Sequence, residues 1–422
     1  QRYSTNTFPT WRLAQPFRML AHNGEINTLT GNVKLMKAHE PKLASPLFGD
    51  NIEDLKPIVQ SGSSDSEALD SVFELLCRAG RPAPMVKAMT IPESIAQNKT
   101  MAPEHEALFS YCNAVLEPWD GPAAICAHDG QWVVAGMDRN GLRPMRFITT
   151  SDGLLVVGSE AGMVEVPEES ITEKGRLGPG GIIGVNLDEG RFYHDKKIKD
   201  LLAKRENYAS WIKRTEVLDD IIDGADLKGS TFSPEELRRR QHCFGLSMED
   251  MEMILQPMTE GGKEAIGSMG DDAPVAVLSD RYRGMHHFFR QAFSQVTNPP
   301  IDSLRERRVM SLKTRLGNLG NILDEDATQC DLLQLESPVL TNAAFDAMRR
   351  YMGDTVAEID CTFVPKGPGA LTAALERIRS EAEAAVRAGK THLILSDMQT
   401  SAERAPVPMI LAAGRVHTHL VE

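Results

Sequence analysis

Four short apolar runs between residues 121 and 164 place the strongest constraint on how this chain folds. The stretch reads GPAAICAHDGQWVVAGMDRNGLRPMRFITTSDGLLVVGSEAGMV, and Asp-Gly, Asn-Gly and a second Asp-Gly separate the runs. Asn and Gly tolerate the positive φ angles of tight hairpin turns, so this spacing predicts an antiparallel meander. The stretch GPGGIIGVNLDEGRFYHD at 178–195 predicts one further hairpin.

Helical patterns precede the predicted meander. Residues 64–80 begin with Ser and Asp, carry apolar residues at helical spacing and end at Gly80, which together predict a helix. A second helix is predicted over 101–116. Helices followed by an antiparallel meander indicate an α+β layered domain.

The second half of the chain has a different pattern. APVAVLSD at 273–280 and THLILSD at 391–397 are typical of short buried parallel strands. Between them, residues 369–389 predict an Ala-rich helix that ends at a glycine. Alternating strands and helices indicate a domain of α/β type. The predicted fold class is therefore α+β followed by α/β.

The change of pattern falls between about residues 215 and 235. The part of the chain on each side of this boundary has a length that suits one domain. We assign residues 1–222 to the first domain and residues 223–422 to the second. The chain begins QRYSTNTFPTWR and ends AAGRVHTHLVE, so we expect a fragment that is truncated on both sides.

The net charge of -13 excludes one class of partner. A nucleic-acid or anionic membrane surface would need clustered Lys and Arg, so neither is expected as a partner. No apolar run approaches the roughly 18–20 residues that span a bilayer. The six cysteines show no metal-binding spacing and predict reduced thiols packed as small hydrophobic residues. We expect a cytoplasmic protein.

Asn23 and Gly24 lie in the stretch RMLAHNGEIN and have two interpretations. Asn-Gly is a strong signal for a type I′ turn between two strands. Alternatively, the Asn side-chain amide and the next backbone N–H form an oxyanion hole, which stabilises the negative oxygen formed when an amide carbonyl is attacked. Gly would then leave room for the substrate.

Arg2 and Asp65 also have two interpretations each. Arg2 is either a solvated surface residue or a bidentate partner for a substrate α-carboxylate. Asp65 either caps a helix or binds a substrate α-ammonium group. In the functional interpretation, these residues and the Asn23-Gly24 pair together recognise an amino acid with a side-chain amide.

Several long stretches resemble the glutamate synthase family, in its large subunit. They are RYSTNTFPTWRLAQPFRMLAHNGEINTLTGN, SGSSDSEALD, EPWDGPAAI, MDRNGLRPMRF, VVGSEAGM, PMTEGGKEAIGSMGDDAPVAVLSDR and FSQVTNPPIDSLRERRVMSL. The resemblance covers essentially the whole chain, in order. The DRNGLRP segment is also similar to the wider class of amidotransferases whose nucleophile is an amino-terminal cysteine.

The resemblance implies a modular enzyme. A glutaminase domain with an N-terminal-nucleophile-type αββα sandwich releases ammonia from L-glutamine. An internal tunnel then delivers the ammonia to a flavin domain, where 2-oxoglutarate is aminated and reduced to L-glutamate. The second domain resembles the family's central domain, whose implied role is to bridge the two sites and wall part of the tunnel.

The family's motifs also imply a role for each candidate residue. Arg2 falls on the arginine that binds the glutamine carboxylate, and Asp65 falls on the aspartate that binds its ammonium group. Asn23 and Gly24 fall on the oxyanion hole. The family's nucleophilic cysteine is absent from this chain, so we expect the 422-residue piece alone to be inactive as a glutaminase.

The implied cofactors belong to the parent protein. The family carries FMN and an iron–sulfur cluster in a later domain, with NADPH or ferredoxin as electron donor, so we expect neither a cofactor nor a metal in this fragment. The implied partners are L-glutamine, the rest of the glutamate synthase chain and a small subunit.

Other interpretations stay open. Asn140-Gly141 in GMDRNGLRPMRF is interpreted as a structural turn, because turn chemistry already explains the pattern. A non-catalytic scaffold that forms the tunnel is one alternative for the chain as a whole. Another class II amidotransferase, making a nucleotide or an amino sugar, is a second alternative. The stretch 256–312 distinguishes it, because those enzymes would place a phosphoribosyl or sugar-isomerase domain there.

Overall fold

The computed structural model describes residues 10–95, 98–222, 232–261, 278, 285–288, 312–317 and 320–421. Two compact units make up the chain. Of the described residues, the first unit contains those up to Thr215 and the segment 320–332, whereas the second contains those from Glu216 to residue 288, residues 312–317 and those from Leu333 onward. Among the described residues, no helix is both long and apolar enough to cross a membrane.

Six α-helices of the first unit lie within the described residues. They are α1 (Leu29–His39), α2 (Asp65–Arg78), α3 (Ala83–Thr90), α4 (Pro103–Val115), α5 (Asp195–Ala203) and α6 (Tyr208–Ile212). The predictions of helices over 64–80 and 101–116 are confirmed by α2 and α4. α2 begins where the Ser64 side chain accepts a hydrogen bond from the N–H of Glu67, and its face with Leu69, Val72 and Phe73 is fully buried.

The described strands of the first unit are β1 (Leu20–Gly24), β2 (Ala123–His128), β3 (Trp132–Met137), β4 (Arg146–Thr150), β5 (Leu155–Gly158), β6 (Ile171–Arg176), β7 (Ile182–Asn186) and β8 (Arg191–Tyr193). They form two sheets in which every neighbouring pair is antiparallel. The larger sheet has the order β1-β2-β3-β7-β8, and the smaller has the order β5-β4-β6.

The prediction of one continuous meander over 121–164 is wrong. β2 and β3 form a hairpin of the five-stranded sheet, whereas β4 and β5 form a hairpin of the three-stranded sheet, and β3 pairs with β7. Between β3 and β4, Gly141 has a φ of 64° and forms the predicted turn. The buried carboxylate of Asp138 accepts hydrogen bonds from the backbone N–H groups of Asn140 and Leu142, which holds this connection between the sheets. The hairpin predicted over 178–195 is confirmed by β7 and β8.

Side chains of the five-stranded sheet alternate between two hydrophobic cores. Val134 and Ile182 belong to the core shared with the helices. Their neighbours Ala135 and Ile183 belong to a second core, which contains Phe147 of the three-stranded sheet. Because successive side chains on a strand point to opposite faces, the layers run helices, five-stranded sheet, three-stranded sheet. The predicted α+β character of this part of the chain is confirmed.

The second unit contains short strands and seven described α-helices. The strands are β9 (Glu216–Val217), β10 (Thr314–Leu316), β11 (Leu333–Leu335), β12 (Val356–Asp360), β13 (Thr362–Phe363), β14 (His392–Ser396) and β15 (Ala405–Pro406). The helices are α7 (Leu218–Ile221), α8 (Pro234–Cys243), α9 (Met248–Asp250), α10 (Gln256–Gly261), α11 (Asn342–Met352), α12 (Ala370–Arg387) and α13 (Met409–Val421).

One strand–helix–strand unit with parallel strands lies in this part of the chain. β12 pairs in parallel with β14, and α12 lies between them in the chain and packs on β12. The predicted helix at 369–389 and the predicted strand at 391–397 are therefore confirmed. The strand predicted at 273–280 lies outside the described residues, apart from residue 278.

Candidate functional site

Asn23 and Gly24 form the end of strand β1. In the antiparallel pairing with β2, Asn23 lies opposite Ala124 and Gly24 lies opposite Ala123, so the interpretation as a hairpin turn is wrong. Space explains the glycine, because a Cβ atom on Gly24 would lie 1.8 Å from the carbonyl oxygen of Pro122. The backbone of residue 122 therefore requires glycine at this position whether or not a substrate approaches.

Asp65 is the first residue of α2 and is 9% exposed. Its interpretation as the helix cap is wrong, because the Ser64 side chain takes that role. The Oδ2 atom of Asp65 instead accepts a hydrogen bond of 2.9 Å from the backbone N–H of Ile26. The carboxylate thus lies at a helix amino terminus, which favours negative charge. Its hydrogen bond to Ile26 holds it close to the backbone that follows Gly24.

A second aspartate of α2 holds the other end of β1. The Oδ1 atom of Asp70 accepts hydrogen bonds of 2.9 Å from the backbone N–H groups of both Met19 and Leu20. Asp70 is 3% exposed, and burial raises the pKa of its carboxyl group. Asp65 and Asp70 therefore hold both ends of the strand that carries Asn23 against one helix.

His22 connects the same two elements through its ring. Its Nδ1 atom lies 2.7 Å from the Ser66 hydroxyl oxygen, and that hydroxyl donates a longer hydrogen bond of 3.4 Å to Oδ1 of Asp65. Burial lowers the pKa of His22, although the negative charge of Asp65 opposes this effect. His22 is therefore a neutral imidazole near pH 7, placed between the Asp65 carboxylate and the Asn23-Gly24 pair.

The side chain of Asn23 reaches the smaller sheet. Its Nδ2 atom donates a hydrogen bond of 3.1 Å to the hydroxyl oxygen of Ser159, which follows β5 directly. Asn23 and Ser159 are both half-buried. The amide that the sequence indicates as an oxyanion donor is thus held between the two sheets.

Two family models match this chain. Residues 1–211 match the class-II glutamine amidotransferases, and residues 239–422 match the glutamate synthase central domain. The chain belongs to the class-II glutamine amidotransferases. The match to the central domain over the second half confirms the resemblance to glutamate synthase large chains.

Three relatives of this class-II amidotransferase are similar along its whole length. It is 64% identical to the glutamate synthase [NADPH] large chain of Azospirillum brasilense, 42% identical to the glutamate synthase [NADH] of Schizosaccharomyces pombe, and 40% identical to ferredoxin-dependent glutamate synthase 2, chloroplastic, of Arabidopsis thaliana. Each alignment covers 100% of this chain. The chain spans 28%, 21% and 26% of those relatives, respectively.

The amidotransferase unit brings together three of the four residues indicated by the sequence. Asn23, Gly24 and Asp65 lie around the end of β1, whereas Arg2 lies outside the described residues. Sequence reasoning did not identify His22, Asp70 or Ser159. The position of His22 directly before Asn23 could have indicated a role at the site. No motif or spacing in the sequence distinguished Asp70 or Ser159.

The cysteines of this amidotransferase differ in exposure, and Cys77 and Cys126 are half-buried. Cys112, Cys330 and Cys361 are buried, and Cys243 is exposed. Burial raises the pKa of the thiols of Cys126 and Cys361 to about 11. Thiols with raised pKa values are poor nucleophiles near neutral pH. Among the described residues, no group of three or more His, Cys, Asp or Glu side chains is arranged to hold a metal ion.

Proposed function

We propose that the site around the end of β1 binds L-glutamine and hydrolyses its side-chain amide. Asp65 binds the α-ammonium group and Arg2 binds the α-carboxylate, each by a charge-assisted hydrogen bond. The Asn23 Nδ2 and the backbone N–H of Gly24 face the amide carbonyl oxygen. The observation that carries this proposal is the hydrogen bond from the N–H of Ile26 to Asp65, which holds the carboxylate beside the strand that ends in Asn23-Gly24.

These groups account for one chemical step. The attacking thiolate is the amino-terminal cysteine that the family resemblance implies, and it adds to the amide carbon of glutamine. The carbonyl oxygen becomes an oxyanion, and hydrogen bonds from Asn23 and Gly24 stabilise it. Collapse of this intermediate, with a proton transferred to nitrogen, releases ammonia and leaves a thioester. Water then hydrolyses the thioester to L-glutamate and regenerates the thiol.

We further propose that the ammonia serves glutamate synthesis in a glutamate synthase. The end-to-end similarity to glutamate synthase chains and the central-domain match support this proposal. In the whole enzyme, ammonia passes through a tunnel to a flavin site, where 2-oxoglutarate is reductively aminated. As the family resemblance implies, FMN and the iron–sulfur cluster belong to a later domain of the whole enzyme.

The proposed organisation follows from the same resemblance. Residues 1–222 form the amidotransferase domain with an N-terminal-nucleophile αββα sandwich, and residues 223–422 belong to the central domain that walls the tunnel. The helix–sheet–sheet layering of the first unit supports the sandwich. The rest of the large chain and a small subunit are the proposed protein partners, and NADPH or ferredoxin is the proposed electron donor.

One specific match weakens the alternative of a nucleotide- or sugar-producing amidotransferase. The stretch 256–312 would have to begin a phosphoribosyl or sugar-isomerase domain in such an enzyme. The glutamate synthase central domain matches residues 239–422 instead. The proposal is therefore restricted to glutamate synthesis.

The experiment that tests the site is Asn23→Ala in a full-length glutamate synthase large chain that contains these residues. We expect kcat for glutamine hydrolysis to fall roughly 10²- to 10³-fold, the usual effect of removing one oxyanion donor. KM for glutamine should change little, because this interaction strengthens in the transition state. Asn51→Ala, at an exposed asparagine of the same unit, is the matched control. An unchanged kcat in folded Asn23→Ala protein would overturn the proposal.

A further inference from the structure

Ser159 is the residue that contacts the Asn23 amide. Its hydroxyl oxygen accepts the 3.1 Å hydrogen bond from Nδ2, although the two residues are 136 positions apart in the chain. Neither the sequence motifs nor the family matches assign Ser159 a role. The contact joins the last residues of strand β1 in the larger sheet to the end of strand β5 in the smaller sheet.

The chemistry of a carboxamide gives this contact a specific consequence. The NH₂ group of an asparagine carries two hydrogens in the plane of the amide. When one hydrogen is donated to Ser159, the amide plane is restrained and the second hydrogen points in a defined direction. An oxyanion hole depends on such restraint, because donors that are oriented before the reaction cost no reorganisation in the transition state.

The framework around Ser159 is suited to this task. The preceding residue, Gly158, pairs with Arg146 at the end of the antiparallel pair of β4 and β5. β4 in turn contributes Phe147 to the core between the two sheets. A hydroxyl placed next to a paired strand end is held more accurately than one on a free loop.

We propose that Ser159 is a positioning residue of the glutamine-hydrolysing site, which orients the Asn23 amide toward the oxyanion through the Ser159 Oγ–Asn23 Nδ2 hydrogen bond. This inference rests on the proposed function of Asn23. Ser159 itself contacts no substrate atom. Its effect is on the transition state and depends on the presence of the Asn23 amide.

The test uses variants of Ser159 in a full-length glutamate synthase large chain that contains these residues. Ser159→Ala should lower kcat for glutamine hydrolysis about five- to tenfold, the effect of losing one neutral hydrogen bond. KM for glutamine should stay within about twofold, because ground-state binding is not affected. Ser170→Ala is the matched control, since Ser170 is also half-buried, lies directly before β6 of the same sheet, and its hydroxyl donates a hydrogen bond to the local carbonyl of Pro167.

A second pair of variants separates the hydroxyl from the shape of the side chain. Ser159→Thr and Ser159→Val introduce side chains of nearly the same shape, and only threonine retains the hydroxyl. We expect kcat for Ser159→Thr to exceed that for Ser159→Val by about the same five- to tenfold. Equal kcat values for these two variants would overturn the proposal even if the added methyl group lowers both.

A double-mutant cycle distinguishes this inference from the proposed function. Ser159→Ala should change kcat little in an Asn23→Ala background, because its effect passes through the amide. An equal loss in both backgrounds, or a rise in KM without a change in kcat, would overturn the positioning role. If Asn23→Ala lowers kcat and Ser159→Ala does not, only the role of Ser159 fails. If Asn23→Ala has no effect, the proposed function fails with it.

Discussion

Asp65 and Ile26 lie 39 residues apart in the chain, and a 2.9 Å hydrogen bond joins the carboxylate of one to the backbone N–H of the other. This bond sets the distance between the start of α2 and the residues that follow β1. It also uses only Oδ2, while Oδ1 lies 3.4 Å from the Ser66 hydroxyl. The carboxylate is therefore oriented by the protein before any ligand binds.

Asp65→Asn keeps the size of this side chain and removes its charge. We expect KM for L-glutamine to rise roughly tenfold to a hundredfold, because a charged hydrogen bond to the substrate ammonium contributes about 1.5–3 kcal/mol. Steady-state kinetics on the full-length enzyme and calorimetric titration of L-glutamine measure the effect. Asp54→Asn, at an exposed position of the same unit, should leave KM unchanged. A normal KM in the Asp65→Asn enzyme would show that Asp65 does not bind the substrate ammonium.

Gly24→Ala tests the close approach of Pro122 to strand β1. A methyl group at this position would lie 1.8 Å from a backbone oxygen, so the strand must move, and we expect a loss of about 1–3 kcal/mol in the free energy of unfolding. Gly31→Ala on α1 is the control, since a Cβ there meets nothing within 4 Å. That change should stabilise the protein by about 0.5–1 kcal/mol, because alanine favours helix. Urea unfolding measures the free energy of unfolding of both variants. If Gly24→Ala and Gly31→Ala change it by the same amount, the steric explanation is refuted.

The burial of Lys87 should make the free energy of unfolding depend on pH. This lysine of α3 is 2% exposed, and burial lowers its pKa from the ordinary 10.5 to about 8. Between pH 8 and pH 10.5 the unfolded chain binds more protons than the folded chain, so the Lys87 contribution to stability rises with pH in this window. Below pH 8 both states are protonated, and the folded state carries a constant cost of about 3 kcal/mol.

Lys87→Met removes that cost and keeps the length of the side chain. The variant should be more stable than the parent chain at pH 7, and its advantage should shrink as the pH approaches 10. Urea unfolding at a series of pH values measures the difference. Lys34→Met, at an exposed lysine of α1, should show no such trend. An advantage that stays constant from pH 7 to pH 10 would contradict the lowered pKa.

Arg81 holds the later segment 320–332 within the first unit. Its guanidinium group, in a residue that is 4% exposed, donates hydrogen bonds to the backbone carbonyls of Ile322, at 2.7 Å, and Asp324. Arg81→Ala leaves both carbonyls without this donor, so we expect a loss of about 2–4 kcal/mol in the free energy of unfolding. Limited proteolysis should then cut within 320–332 at lower protease concentration.

Arg78→Ala is the matched control for this prediction. The Arg78 side chain is 62% exposed and pairs with Glu74 at 3.7 Å on the surface of the same helix. Such exposed pairs contribute about 0.3–0.5 kcal/mol, so proteolysis of the segment should be unchanged. Equal proteolysis patterns for both arginine variants would show that Arg81 does not retain the segment.

Local sequence alone determined the elements whose stability depends on nearby residues. The helices Asp65–Arg78, Pro103–Val115 and Ala370–Arg387 follow from apolar spacing and end signals within each segment. The hairpin of β7 and β8 follows from one turn between two adjacent runs. In each case the interacting residues are close in the chain, so the pattern contains the necessary information. The family motifs likewise indicated Asn23 and Asp65 as partners in one site.

The tertiary structure decided which distant segments meet. The Asn23-Gly24 pair carries a turn signal, yet β1 pairs with β2 about a hundred residues later, and Pro122 takes the space that glycine leaves. The four-run meander divides because β3 pairs with β7 in one sheet, whereas β4 pairs with β6 in the other. The contacts of Asp70 and Ser159 with β1 depend on the packing of whole layers. Periodicity describes which face of an element is apolar, but not which distant backbone or side chain will cover it.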